Sequence, residues 1–125
     1  MKKLILMIGV LAVAHGLEAQ TSGSFQLKDS SFTKTFIIEV RQDSGPLKCY
    51  SESNLSKGSI EIKLFNPDGK SEGGYSLSTS KKESGQIEPA YGKIENKVEK
   101  PIAGSWKLVV RAENATGKLK YEVSN

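Results

Sequence analysis

The chain is poor in the residues that carry most enzyme chemistry. Among its 125 residues there is one cysteine, one histidine and one tryptophan. A lone cysteine, Cys49, closes no internal disulfide and supplies no thiolate pair for a metal. The single histidine, His15, lies in an N-terminal segment that reads as a leader, so residues 20–125 contain none. That excludes a serine–histidine–acid triad, a cysteine–histidine nucleophile and a histidine-based zinc site. Long apolar runs are missing as well. The longest, residues 4–14 and broken only by Gly9, is shorter than the roughly 20 residues a transmembrane helix needs.

That apolar run has a different reading. Lys2 and Lys3 precede it, and Leu17-Glu18-Ala19 places a small residue before Gln20, the layout of a secretory signal peptide of bacterial type. The expected organisation is a leader over residues 1–19 and one domain over residues 20–125, destined for the periplasm, the cell surface or the extracellular space. No membrane-spanning segment is expected in the exported chain. Without Lys2, Lys3 and Glu18 the formal net charge falls from +4 to +3. The 106 residues left are enough to bury roughly 65% of their unfolded surface and to fold without covalent staples.

What is present is alternation. Phe36, Ile38 and Val40 alternate with Ile37, Glu39 and Arg41; Ile60, Ile62 and Leu64 with Glu61 and Lys63; Trp106, Leu108 and Val110 with Lys107 and Val109; Leu119, Tyr121 and Val123 with Lys120 and Glu122. Period two with one apolar face is the pattern of antiparallel strands covered on one side. Weaker strands are predicted over 25–28, 47–53, 75–80 and 93–98, giving about eight short strands and no helix. Turn residues separate them: Ser44-Gly45-Pro46, Lys57-Gly58, Asn66-Pro67-Asp68-Gly69, and Asn114-Ala115-Thr116-Gly117 between the last two strands. Gly73-Gly74 and the serine-rich residues 76–84 read as loop or edge strand. The class is all-β, a sandwich or barrel.

The stretches "KGSIEIKLFNPDGK" and "GKIENKVEKPIAGSWKLVVRAENATGKLKYEV" resemble bacterial pre-peptidase C-terminal domains and, more distantly, the P domains of proprotein convertases. Those families pair a strand ending in a "PDG" turn with a later "P-x-x-G-x-W-x-L-x-V" strand. The resemblance covers about the last seventy residues. It implies a single antiparallel, jelly-roll-like β-sandwich that is exported, has no catalysis of its own, and serves folding, targeting or adhesion.

The candidate functional residues follow from what remains on the wet faces. Three aspartates and ten glutamates follow residue 19, but the glutamates alternate with apolar residues or adjoin lysines, as on solvated strand faces, so a carboxylate-based hydrolase is the weakest reading. Cys49 is in register with Leu47 and reads as a small buried hydrophobe. Asn66 and Asp68 are the oxygen ligands a Ca²⁺ ion would use at the proline–glycine turn, although Ca²⁺ takes six to eight oxygens and the turn explains these residues without an ion. No cofactor is expected otherwise. Lys93, Lys97, Lys118 and Lys120 are interleaved with glutamates, too mixed for nucleic acid, but able to face an anionic glycan. Tyr75 and Tyr91, near glycines and loops, are the candidate sugar-stacking rings. The sequence thus predicts a non-enzymatic binding module for a protein partner or an envelope or extracellular polysaccharide. The competing reading is an assembly subunit that pairs through an exposed edge strand.

Overall fold

A computed structural model describes residues 20–125, so the leader assigned to residues 1–19 lies outside the described residues. Seven strands follow one another: β1 (Gln20–Val40), β2 (Leu47–Phe65), β3 (Ser71–Ser78), β4 (Ser80–Lys81), β5 (Ile87–Glu88), β6 (Ala90–Val98) and β7 (Gly104–Ser124). No helix occurs among the described residues. All pairings are antiparallel: β7 lies between β1 and β2 from Lys107 onward, while β2 pairs with β6 through its first half and with β3 through its second. β4 and β5 form a separate small hairpin.

Three strands are far longer than the sequence predicts, and each contains two of the expected short ones. They are not straight. β1 slips register between Leu27 and Phe32, where Asp29 has φ 51°; β2 slips between Leu55 and Ser59, where Gly58 has φ 88°; and the facing part of β7 holds Asn114 at φ 45°. These irregularities lie side by side, and each bulge bends its strand. The bend carries all three strands from one layer into the other. One layer consists of residues 20–27, 117–124 and 47–55 with β6; the other consists of residues 32–40, 104–112 and 59–65 with β3.

The bulges also change which residues point inward. Before the corner the buried positions are odd-numbered in β1 (Phe25, Leu27) and β2 (Leu47, Cys49, Ser51, Ser53, Leu55); after it they are even-numbered (Phe36, Ile38, Val40 and Ile60, Ile62, Leu64). β7 makes the reverse switch, from Trp106, Leu108, Val110 and Ala112 to Ala115, Leu119, Tyr121 and Val123. Both layers therefore turn their apolar faces to one core. Phe36 and Tyr121 stack across it with ring centroids 5.0 Å apart, and Phe25 packs on both. Such a pair adds about 0.5–1.5 kcal/mol beyond the area it buries.

Backbone groups displaced at the corner find side-chain partners. The Asp29 N–H donates to Thr116 Oγ1 (3.0 Å) and the Asn114 N–H to Ser31 Oγ (2.9 Å). The sequence-based reading of 114–117 and Lys57-Gly58 as turns between separate strands is corrected here: both are bulges inside continuous strands. Residues that favour positive φ serve either purpose. The Asn66–Gly69 turn, by contrast, does join β2 to β3, with the Gly69 N–H donating to Asn66 O at 2.9 Å and Gly69 at φ 84°. The architecture is an all-β antiparallel sandwich of jelly-roll-like kind, with the eight expected segments carried by three bent strands together with β3 and β6.

Candidate functional site

The outer face of the β6-containing layer is built from the polar half of each alternation. Register places its residues in rows that cross the strands. Tyr91 of β6 lies opposite Asn54 of β2, which faces Lys118 of β7, which faces Gln26 of β1. The next row runs Lys93, Glu52, Lys120, Ser24, and the next Glu95, Tyr50, Glu122, Ser22. Beyond these, Lys97 faces Lys48. Strands stand about 4.8 Å apart, so each row spans about 14 Å.

Glu52 organises the middle of this face. Its Oε1 accepts from the Tyr50 hydroxyl and its Oε2 from the Tyr91 hydroxyl, both at 2.9 Å. These two hydrogen bonds, Tyr50's first, with help from Lys120 and Lys93, hold the Glu52 carboxyl below its usual range, and they push both phenols above theirs, so that the tyrosines keep their protons. The consequence is geometric. Tyr91 is 54% exposed, yet its hydroxyl is tied down and its ring cannot swing freely over the surface.

The first row borders a hollow of about 510 Å³ lined by Tyr91, Asn54, Lys118, Gln26, Ala90 and Gly117 among others. Gly117 keeps the floor low. It sits at φ 147°, and a Cβ there would come 2.0 Å from the Asn54 carbonyl oxygen, so no side chain fits. A second hollow, of about 380 Å³, lies on the opposite layer beside Gly73 and Gly74.

The sequence-derived candidates separate under this geometry. Tyr91, Lys93, Lys97, Lys118 and Lys120 share the one face, although Lys97 lies at its far end and pairs with Glu99 at 3.4 Å. Tyr75 does not join them. It belongs to β3, is half-buried between the layers, and shares a 2.7 Å hydrogen bond with Ser53 Oγ. Asn66 and Asp68 stand apart at the β2–β3 turn. Asn66 is buried, its Oδ1 accepts from the Asp68 and Lys70 N–H groups at 2.9 and 3.0 Å, and its Nδ2 donates to Glu72. That oxygen is committed to the turn. No group of three potential metal-ligating side chains occurs among the described residues. Cys49 is buried, and burial pushes its thiol up to about 11.

Sequence reasoning missed Tyr50, Glu52, Asn54 and Gln26. A signal for three of them was available: Lys48, Tyr50, Glu52 and Asn54 alternate with the inward Leu47, Cys49, Ser51 and Ser53.

No protein-family model and no curated protein sequence matches the chain. Among solved structures, a Bacillus licheniformis lipase in propeptide form superimposes with a TM-score of 0.50 at 18% identity, over 86% of this chain and 21% of that one. The chain thus spans about a fifth of the lipase's length. A carbohydrate-binding module specific for non-crystalline cellulose gives 0.45 at 11% identity, over 90% of this chain and 76% of that one. A carbohydrate-binding module solved with β-1,4-galactotriose gives 0.42 at 19% identity, over 90% and 71%. At 18% identity the likeness to the lipase is one of fold.

Proposed function

We propose that the protein is an exported, non-catalytic module that binds a polysaccharide across the outer face of the β6-containing layer. The observation that carries this reading is the exposed Tyr91 ring, held by Glu52 at one end of a hollow crossing four strands. A tyrosine braced in this way offers an apolar surface to a sugar ring at little cost in side-chain freedom. Around it, Asn54 and Gln26 supply amide donors and acceptors, and Lys118 supplies an ammonium group. The volume of about 510 Å³ falls within the range of small-ligand sites. The hollow is open and shallow, which suits a chain that continues past both ends.

The assembly reading has one observation in its favour: β1 forms the outer strand of both layers, with one edge unpaired. But the Asp29 bulge interrupts that edge, and Lys28 and Lys34 stand along it, both devices that discourage strand addition. The glycan reading is therefore preferred. A carboxylate-based hydrolase finds less support still, because the central carboxylate of the face is occupied by two phenols.

The test is retention of residues 20–125 on a panel of insoluble and soluble polysaccharides, beside Tyr91→Ala. Retention on at least one glycan, lost in Tyr91→Ala with an unchanged thermal midpoint, is the expected outcome. A protein that binds no glycan and elutes as a stable oligomer would favour the assembly reading instead.

A further inference from the structure

We infer that the polysaccharide recognised by this face is anionic and that one of its carboxylate or sulfate groups seats on Lys118; the inference rests on the glycan-binding reading above. The face carries five lysines (Lys48, Lys93, Lys97, Lys118, Lys120) against three glutamates (Glu52, Glu95, Glu122), an excess of two positive charges. These lysines are not equivalent. Lys93 and Lys120 lie directly opposite the Glu52 carboxylate on either side. Lys97 pairs with Glu99, and Lys48 lies beside Lys97, outside the hollow.

Lys118 is the exception. Its two cross-strand neighbours, Asn54 and Gln26, are neutral amides, and it makes no ion pair among the described residues. It is also the charged side chain that lines the hollow, which contains no carboxylate. An ammonium flanked by two carboxamides along one row is a set of N–H donors without a competing anion. That arrangement favours a monoanionic group, because charge-assisted hydrogen bonds are roughly twice as strong as neutral ones. One ammonium matches one unit of negative charge, which favours a carboxylate or sulfate ester over a phosphomonoester dianion.

The row also fixes where that group stands on the ligand. Lys118 is two strands from Tyr91, about 9.5 Å. A sugar chain lying along the row with one ring on Tyr91 therefore brings its charged residue to Lys118 rather than to Glu52, the carboxylate bonded to Tyr91. A chain running along the strands instead would pass from Tyr91 to Lys93 and then Glu95, where an acidic sugar meets a like charge.

The experiment is calorimetric titration of the protein with a polyuronide and its carboxyl-reduced form, and with a sulfated glycan and its desulfated form, each at low and high salt. Wild type, Lys118→Gln and a control on the opposite layer, Lys107→Gln, are compared after confirming equal thermal midpoints. The expected result is a preference of about tenfold or more for one acidic polymer over its neutralised twin. That preference should weaken with salt, persist in Lys107→Gln, and vanish in Lys118→Gln, which should bind the acidic polymer and its neutralised twin equally. Which acidic polymer shows it separates carboxylate from sulfate. Equal binding of acidic and neutralised polymers, or a preference that survives in Lys118→Gln, overturns the inference and leaves glycan binding standing. Wild type that binds none of the four polymers overturns this inference and counts against the glycan reading too.

Discussion

Tyr91 donates its hydroxyl hydrogen to Glu52 Oε2 at 2.9 Å, across the pairing of β6 with β2. Tyr50 takes the other carboxylate oxygen, so both bonds favour the charged form. Glu52 should therefore stay ionised to lower pH than it would without these two bonds. An acid with a depressed folded pKa contributes stability above its unfolded value and loses that contribution as pH falls through the folded one. A carboxyl-carbon NMR titration should place Glu52 below the ordinary value of 4.5, and Tyr50→Phe should move it back up. A Glu52 that titrates at the ordinary value would mean that neither phenol is bonded to it.

Gly117 and Gly69 both have positive φ, but different surroundings. A Cβ at Gly117 would meet the Asn54 carbonyl oxygen at 2.0 Å, whereas at Gly69 nothing lies within 4 Å. Gly69→Ala should cost about 1 kcal/mol, from backbone strain alone. Gly117→Ala should cost about 2 kcal/mol or more, because β2 and β7 must move apart. Denaturant midpoints of the two variants decide it, and equal costs would show that the close approach at Gly117 relaxes freely.

Cys49 is 4% exposed and its thiol is pushed up to about 11. At mildly alkaline pH the folded protein should react with a disulfide reagent only as fast as it opens, and at once in denaturant. Rapid labelling of the native protein would place the thiol at the surface.

Trp106 is 1% exposed, and its Nε1–H donates to the Ile102 carbonyl at 2.9 Å. That bond pins the segment leading into β7. Trp106→Phe should lower stability by about 2 kcal/mol through lost volume and a lost donor, read by circular dichroism in urea because the variant has no tryptophan emission. A loss within error of zero would mean that the core closes around the smaller ring.

The inward sets were legible because alternation is imposed locally: Phe36, Ile38, Val40 and Trp106, Leu108, Val110 are apolar wherever the strand is covered on one side. Continuity through Gly58 and Asn114–Gly117 was not legible, since a turn and a bulge ask for the same residues. On the candidate face, the outward lysines and Tyr91 could be read from the chain alone. The same alternation marks Glu52 as outward, but its role as the brace of Tyr91 could not be read, because a glutamate among serines reads as solvated surface and its partner lies 39 residues away. Tyr75 misled for a related reason: the glycines before it suggest a loop, whereas the pairing of β3 with β2 holds it between the layers.

The switch from odd to even inward positions at Asp29, Gly58 and Asn114 makes the fold sensitive to reading frame in a sense of its own. Loss of one codon at any of these corners would leave every downstream amino acid unchanged, yet would shift the rest of that strand out of phase with its neighbours. In β1 it would present Thr35, Ile37 and Glu39 to the interior and send Phe36 and Ile38 to the solvent. Substitutions can accumulate along these strands one at a time, whereas a change of length at a corner can be accommodated only by a compensating change in the same strand.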